Sequence, residues 1–185
     1  MIRRREFIAA IGGAAAWPLA AWAQQRDRVR RIGVLMLDEN DSGGRLRYTA
    51  LTQALANLGW VDGRNARVDL RWAGPDTNRI RALAQELVGL QPDVILTGGG
   101  LVTAALQQET RTIPIVFTNG GDPVASSIVS RLDRPSGNIT GFANTEATLG
   151  GKWLELLSEI APGLKRAAIM FSPDTSPASV YMPAL

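Results

Sequence analysis

The amino-acid sequence predicts an α/β fold with a doubly wound parallel sheet. Short apolar runs alternate with longer segments whose apolar residues recur at helical spacing, and polar or glycine-rich loops separate them. Because a parallel strand is reached only through a crossover connection, unbroken strand–helix alternation is typical of a parallel sheet with helices on both faces. The composition, 45% hydrophobic and 20% charged, is ordinary for a folded domain.

The first strand is predicted over Ile32–Leu37, an apolar run followed by the polar loop 38–44. Such a run is typical of a strand that is buried on both faces of a sheet. The first helix is predicted over 45–60, and Gly59 is suited to end it because glycine tolerates the left-handed backbone that follows a helix. Five apolar residues of this segment share helical spacing, namely Leu46, Leu51, Ala54, Leu55 and Leu58.

The same alternation continues to residue 145. We expect further strands over 66–73, 91–100, 113–123 and 136–145. We expect helices over 74–90 and 101–111, and a weaker one over 124–135. Asp76 or Thr77 can cap the helix at 74–90. The buried stripe of that helix is expected to comprise Ile80, Leu83, Ala84, Leu87 and Val88.

Residues 1–23 are predicted to form a removable export signal. Three arginines precede an apolar run over 7–22 that is rich in alanine and glycine, contains Pro18, and is too short to span a bilayer. The residues that match a twin-arginine-like motif and a small-x-small cleavage site are Arg4, Arg5, Phe7, Ala21 and Ala23. Cleavage after Ala23 predicts a periplasmic protein without a stable membrane anchor. One alternative is the general export route instead of the twin-arginine route. The other is that these residues form an amphipathic or buried N-terminal helix.

The rest of the chain divides into two regions. Residues 24–144 are predicted to form one complete α/β domain of ordinary size. Residues 145–185 are predicted to begin a second domain, with a helix over Leu149–Ile160 and a strand over 166–173. The apolar face of that helix comprises Trp153, Leu154, Leu157 and Ile160, and core packing is favoured for Trp153. One helix and one strand cannot close a core, so this second domain is predicted to be incomplete.

The residue types present exclude several classes of chemistry. The chain has no cysteine and no histidine, which excludes thiolate metal sites, Cys nucleophiles and a Ser-His-Asp triad. No carboxylate loop for calcium is present, so we expect no metal and no cofactor. Residues 1–23 hold three arginines and one glutamate, so without them the net charge falls from +3 to +1. The high pI of the chain therefore does not indicate nucleic-acid binding.

The loops at the carboxyl ends of the predicted strands are candidates for ligand contact, because these loops line the crevice of a parallel sheet. Residues 97–100 lie between a strand and a helix, where free backbone amides attract a carboxylate or phosphate. Ordinary capped turns are the alternative interpretation. A dinucleotide site is disfavoured, because 38–44 lacks the G-x-G-x-x-G pattern and Gly98-x-Gly100-x-x-Thr103 lacks its third glycine.

Several segments in combination resemble a known family. The strings ALANLGWVDGRN, TIPIVF, GDPV, NITGF and LGGKWLELL are similar to those of ABC transporter substrate-binding proteins that include the tryptophan/tyrosine-binding, TrpX-like type. The similarity extends to about Pro173. It implies the type I periplasmic binding protein fold, in which two α/β domains hold a small solute in the cleft between them.

The resemblance implies positions for the binding site and the hinge. The ligand-facing loops of the first domain would include Thr97, Gly98, Gly99, Asn119, Gly120 and Asp122. Asp38 and Asn40 are candidates on a different ground, because they lie in the loop at the carboxyl end of the first predicted strand. Ser172 and Asp174 match the first ligand-facing loop of the second domain. Phe142, Ala143 and Asn144 match the first crossover between the domains. Gly100 and Leu101 stand where family members often have a small polar residue and a proline, so side-chain contacts from that loop are in question.

The leading hypothesis is an exported, non-enzymatic component that captures an amino acid or other small carboxylate and passes it to an ABC transporter permease. Family members continue through a full second domain, so a truncated, non-functional remnant is the first alternative. A flavodoxin- or Rossmann-type enzyme is the second, and the missing first-loop glycines argue against it. A regulator's sensing domain is the third, and the export signal argues against it.

Overall fold

The computed structural model describes residues 28–37, 42–135, 137–144, 146, 148–170 and 182. The strands in this part of the chain are β1 (Arg30–Met36), β2 (Ala66–Trp72), β3 (Val94–Gly98), β4 (Ile115–Gly120) and β5 (Ile139–Ala143). The helices are α1 (Ser42–Asn57), α2 (Thr77–Gly89), α3 (Gly100–Glu109) and α4 (Leu149–Ile160). None of the helices in these residues is long and apolar enough to cross a membrane.

The five strands form one sheet in the order β2-β1-β3-β4-β5, and every neighbouring pair is parallel. The chain proceeds from β1 outward to β2 and then returns past β1 to β3. The direction of winding therefore reverses between β1 and β3, which makes this the switch point of a doubly wound sheet. The predicted fold class is confirmed.

Helices cover both faces of the sheet. On one face, α2 and α3 pack against Leu35, Ile95 and Ile115 in a core whose members are almost completely buried. On the other face, Tyr48, Leu51 and Leu55 of α1 pack over alternate residues of β1, namely Ile32, Val34 and Met36. Both faces of β1 are thus apolar, which is why its sequence is a continuous apolar run.

The ends of the first two helices follow from local residues. Gly59 has a φ of 87°, and the amides of Gly59 and Trp60 bond to the carbonyls of Ala56 and Leu55, which is the Schellman arrangement. The Asp76 carboxylate caps α2 by accepting the Arg79 amide at 2.7 Å. Both predicted signals are confirmed, with Asp76 as the cap.

The predicted apolar stripe is confirmed for α2 but only in part for α1. In α2, Ile80, Ala84 and Leu87 are buried, and Leu83 and Val88 pack partly against them, so that prediction is confirmed. In α1, Leu51 and Leu55 pack on the sheet, but Leu46 is 70% and Leu58 is 77% exposed, and Ala54 is also exposed. Leu58 follows the last residue of α1, and Leu46 and Ala54 are not among the residues that pack on the sheet.

The predicted helix over 124–135 is wrong. Residues 123–127 form turns only, and 128–135 are irregular. Asp122 caps the turns through the amides of Val124 and Ala125, but Ser127 adopts a φ of 56°, which a right-handed helix cannot accommodate. Ile128 and Val129 then enter the core at 4% and 5% exposure. Burial of these two apolar side chains explains why the chain leaves the helical path.

The predicted strand over 166–173 is also wrong over 166–170, the part that the structure describes. These residues are irregular, and Met170 is 99% exposed. A strand needs a neighbour to bond its backbone groups. The described sheet ends at β5, so nothing in it pairs with this segment.

Helix α4 has the predicted bounds, but its apolar face is not in a core. Trp153 is 53%, Leu157 is 41% and Ile160 is 80% exposed, and Leu154 is half-buried. The preference for core packing of Trp153 is therefore wrong, because the described residues provide no layer that covers this face.

Candidate functional site

The candidate site is the carboxyl edge of the sheet at the switch point between β1 and β3. The turn that follows β3 lies beside Leu37, since a Cβ atom built on Gly99 would be 3.7 Å from the Leu37 Cβ atom. The end of β4 lies on the other side, where the Gly99 amide donates to the Thr118 carbonyl at 3.2 Å. Three chain segments distant in sequence therefore meet at this edge.

Two positions in the turn favour glycine, the first because of side-chain packing and the second because of its backbone conformation. A Cβ atom on Gly98 would lie 2.5 Å from the Sδ atom of Met36, a fully buried neighbour in β1. Gly99 has a φ of 126° and a ψ of 148°, a conformation that is essentially restricted to glycine. The predicted placement of Gly98 and Gly99 at the turn is confirmed, with Gly98 the last residue of β3.

Helix α3 begins directly at this turn. Gly99 is the N-cap residue and has no side chain with which to bond the first amides. A Cβ atom on Gly100 would meet nothing within 4 Å, so there is open space at the first residue of the helix. The first amides of a helix carry partial positive charge. The arrangement can therefore accept an anionic group at the sheet edge.

Threonine hydroxyls hold the turn in place. The Oγ1 atoms of Thr97 and Thr103 are 2.6 Å apart, and the Thr103 hydroxyl donates to the Gly99 carbonyl at 2.7 Å. The Thr118 hydroxyl donates to the Thr97 carbonyl at 3.0 Å. Thr97 is completely buried, so its side chain supports the turn from behind. Direct contact between Thr97 and a ligand stays a prediction.

The hydroxyl bonds of Thr103 and Thr118 were not predicted from the sequence. Thr103 is four residues beyond Gly99 and Thr118 is the fourth residue of β4. A threonine hydroxyl commonly bonds the carbonyl four residues earlier in a helix, which was the available signal for Thr103. The contact of Thr118 with Thr97 depends on strand register and carries no signal in the sequence.

The end of β4 carries an irregularity at Asn119. Thr118 pairs with Phe142 and Gly120 pairs with Ala143, so Asn119 is an extra residue relative to β5. Bulges of this kind are common near functional sites. Asn119 and Gly120 belong to the strand rather than to the loop that follows it. Their roles as ligand contacts stay predictions.

Asp122 lies just beyond β4 and has a structural role. Its Oδ1 atom accepts the amides of Val124 at 2.9 Å and Ala125 at 3.0 Å. These bonds stabilise the turn that leads away from the sheet edge. A further contact of Asp122 with ligand stays a prediction.

The predicted hinge residues lie at the end of β5, which is paired with the end of β4 at the same edge of the sheet. Phe142 and Ala143 end β5 and are exposed, as is Asn144 after them. Their role as a hinge stays a prediction. The loop residues Asp38, Asn40, Ser172 and Asp174 lie outside the described residues, as do all those of the predicted export signal. Within the described chain, no three carboxylates are grouped in a way that could hold a metal ion.

The opposite edge of the sheet has a different character. Asp93 accepts the Arg31 amide at 2.8 Å and an Arg30 guanidinium nitrogen at 2.9 Å. These bonds lower the pKa of the Asp93 carboxyl below its usual value, and the backbone bond from Arg31 has the largest effect. Burial of the carboxyl acts in the opposite direction but does not outweigh them. The Arg31 guanidinium also binds Asp69 at 2.7 Å and the Leu90 carbonyl at 3.0 Å.

Two cavities are also at this amino edge. One of about 400 Å³ is lined mainly by apolar side chains, including Trp60, and also by the charged side chains of Arg30 and Asp93. The other, of about 530 Å³, lies between the end of α3 and the start of β5. Neither is lined by the glycine turn at Gly98–Gly100, so these cavities are separate from the candidate site.

Comparison with known proteins gives a consistent set of matches. Residues 31–184 match the family model described as ABC transporter substrate binding protein. A tyrosine-binding protein of Clostridioides difficile (strain R20291) is 27% identical over 143 residues, which is 77% of this chain and 41% of that protein. The chain thus spans about two-fifths of the length of this curated relative.

Two solved structures extend the comparison to the fold. A conserved domain protein from Vibrio cholerae O1 biovar El Tor is 28% identical with a TM-score of 0.73. The ligand-free, open structure of a substrate binding protein with adhesive properties from Clostridium difficile is 29% identical with a TM-score of 0.66. Each match covers 84% of this chain and 52% of the other. The neighbours share the type I periplasmic binding protein fold.

Proposed function

The chain belongs to the family of ABC transporter substrate-binding proteins, and on that premise we propose that it captures a small solute with a carboxylate group, such as an amino acid. The observation that carries the proposal is the start of α3 at the switch point, where a glycine N-cap leaves the first turn without a side-chain cap. The solute would then pass to a membrane permease of the transporter.

The geometry of the turn favours a carboxylate over a neutral group. Backbone amides at a helix start bind an anion without a charged side chain, and open space at Gly100 allows the anion to approach. The chain contains no histidine or cysteine, which fits capture of the solute without chemical conversion. The family relatives are likewise described as binding proteins.

An aromatic amino acid is the first ligand to test. The tyrosine-binding relative matches 77% of this chain, and this match supports tyrosine as a probe. In our proposal the solute contacts the loop residues of the described edge together with those of the adjoining segments, namely Asp38, Asn40, Thr97, Gly98, Gly99, Asn119, Gly120, Asp122, Ser172 and Asp174. Phe142, Ala143 and Asn144 would form the hinge.

We also propose that the protein acts in the periplasm. The support is the sequence of residues 1–23, in which Arg4, Arg5 and Phe7 match an export motif, and Ala21 and Ala23 match the small-x-small pattern that directly precedes a cleavage site. A permease in the membrane would meet its binding protein in that compartment.

Titration calorimetry of the chain with L-tyrosine, the other proteinogenic L-amino acids and tyramine tests the function. Tyramine keeps the ring and amine of tyrosine but lacks the carboxylate, so we expect it not to bind. Gly100→Asp places a carboxylate in the open space at the helix start, and we expect it to weaken binding by about tenfold or more. Gly100→Asn adds a side chain of the same shape without charge and should retain most of the affinity.

Two results would count against the proposal. If the Gly100→Asp variant and the unchanged chain bind the amino acid with equal affinity, the start of α3 is not part of the binding site. If no amino acid gives binding heat in calorimetry or raises the melting temperature, the alternative of a chain that no longer binds a solute is favoured. The reason is that a ligand bound to the folded state stabilises that state.

A further inference from the structure

Strand β2 is the last strand of the sheet on the side opposite β5, so one of its sides has no strand beside it in the described chain. The Asn65 carbonyl and the Ala73 amide both bond to β1, each at 2.9 Å. Because the backbone groups of successive residues in a strand point to opposite sides, the even-numbered residues of β2 point away from β1. These residues are Ala66, Val68, Leu70 and Trp72, and we call their outward side the β2 edge.

The loop before β2 covers the first part of the β2 edge. The Asp62 carboxylate accepts the Val68 amide at 2.8 Å. The Gly63 amide donates to the Ala66 carbonyl at 2.9 Å, and the Ala66 amide donates to the Val61 carbonyl at 3.2 Å. The outward groups at this end of the strand are therefore bonded to the loop rather than available to another strand.

Two arginines cover the rest of the β2 edge. The Arg71 guanidinium donates to the Leu70 carbonyl at 2.8 Å and is held by the Glu86 carboxylate of α2 at 2.6 Å. The Arg79 guanidinium, from the first turn of α2, donates to the Trp72 carbonyl at 3.3 Å. All these groups belong to β2, the loop before it and the helix after it, so the cover does not depend on the second domain.

The sequence of β2, ARVDLRW, is self-complementary. When two copies are antiparallel with Leu70 opposite Leu70, Asp69 of each copy is opposite Arg71 of the other, and Val68 is opposite Trp72. Pairs of opposite charges and pairs of aromatic and β-branched residues stabilise neighbouring antiparallel strands. An uncovered β2 edge would therefore be a template for the same strand of a second copy.

We propose that the β2 edge is guarded against pairing with the β2 strand of a second copy by Asp62, Arg71 and Arg79. In such a pair the Leu70 amide would donate to the Leu70 carbonyl of the second copy, and the Val68 amide would donate to its Trp72 carbonyl. Asp62 already occupies the Val68 amide, and the two arginines occupy the two carbonyls. The three side chains thus withdraw a group from each of these bonds.

Removal of part of the guard tests the proposal. Asp62→Ala with Arg79→Ala frees both ends of the bond between Val68 and Trp72. We expect the self-association of this variant to be about tenfold or more stronger than that of the unchanged full chain. Sedimentation velocity from about 1 to 200 μM measures it, a range that brackets weak and moderate association.

The double variant should keep its fold. The Asn65 side chain holds the loop independently of Asp62, because it accepts the Val61 amide at 2.7 Å and donates to the Gly59 carbonyl at 2.9 Å. The Arg79 side chain is exposed. We therefore expect an unchanged circular dichroism spectrum.

Hydrogen exchange followed by NMR locates the new contact. In the double variant, the amides of Leu70 and Trp72 should become protected as the protein concentration rises. Arg81→Ala with Glu155→Ala is the control, since it removes one positive and one negative exposed side chain away from the β2 edge and should give neither effect. A gain in association that leaves both amides unprotected overturns the proposal, because the contact would then lie elsewhere.

A second pair of changes reaches the same edge without altering the loop. Arg71→Met with Arg79→Met frees the carbonyls of Leu70 and Trp72 and should protect the same two amides, with a smaller gain because the charge opposite Asp69 is lost. Asp62→Asn with Arg79→Lys keeps an acceptor and a donor in place and should behave like the unchanged chain. If neither guard-deficient variant associates more strongly than the control, or if the conservative variant associates as strongly as they do, the proposal is wrong.

Discussion

The two edges of the sheet are built from different interactions. At the amino edge, Asp93, Arg30, Arg31 and Asp69 are joined by hydrogen bonds and ion pairs of 2.7–2.9 Å. At the carboxyl edge, the turn at Gly98–Gly100 has no charged side chain, and hydroxyl groups hold it from within the core. The difference shows that charges here serve to join strands, while the candidate binding edge is kept open by residues that lack side chains.

The first way to test this comparison is to fill the carboxyl edge. Gly98→Ala would place a methyl group against the buried Met36 side chain. We expect it to lower the free energy of unfolding by about 1–3 kcal/mol, because the surrounding core is closely packed. Urea denaturation gives this value. Gly100→Ala is the matched control, since its methyl group meets open space, and a loss as large as that of Gly98→Ala would refute the packing argument.

A smaller effect is expected from removing the buried hydroxyls. Thr103→Val leaves the fully buried Thr97 hydroxyl without its side-chain partner, and we expect a loss of about 1–2 kcal/mol in unfolding free energy. Thr97→Val should cost less, because Thr103 still donates to the Gly99 carbonyl. The double variant should cost less than the sum of the two single changes. Strict additivity in urea denaturation would show that the two hydroxyls do not act as a pair.

The smallest effect is expected at the amino edge and depends on pH. The pKa of Asp93 is lowered in the folded state, so its contribution to stability is present above the unfolded pKa of about 4 and is lost as the pH falls below that value. Asp93→Asn should lower the unfolding free energy at pH 7 by about 1 kcal/mol and flatten its decline in acid.

Asp133 provides the control for this pH effect. Its pKa is also lowered, chiefly by a hydrogen bond from Arg131, but two-thirds of its side chain is exposed. Because solvent screens an exposed pair, Asp133→Asn should leave the acid transition unchanged within error. An identical shift for both variants would mean that the amino-edge network contributes nothing specific.

Much of the fold followed from the sequence because local pattern and tertiary environment agreed. The apolar run at Ile32–Leu37 predicted a strand covered on both faces, and the stripe of α2 predicted its buried side. The prediction of a helix over 124–135 was wrong because Ile128 and Val129 bury their apolar side chains in the core, and this burial stabilises the chain more than a continued helix would. The strand predicted over 166–173 failed over 166–170 because apolar composition alone provides no neighbour for pairing.

The candidate site was predicted in part. Glycines between a strand and a helix identified the turn at Gly98–Gly100, because few other roles require three glycines together. The inward position of Thr97 and its bond to Thr103 were not predicted, since a small polar residue at a strand end fits a ligand contact equally well. The capping role of Asp122 was foreseen only as an alternative.

The sequence by itself determined the class of fold, the order of strands and helices over most of the chain, and the family. Apolar periodicity and glycine position are local properties, and they specify local structure and its buried side. Only the tertiary structure decided the strand order β2-β1-β3-β4-β5 and the extra residue at Asn119. These features depend on which distant segments become neighbours, and a single stretch of chain does not encode its neighbours.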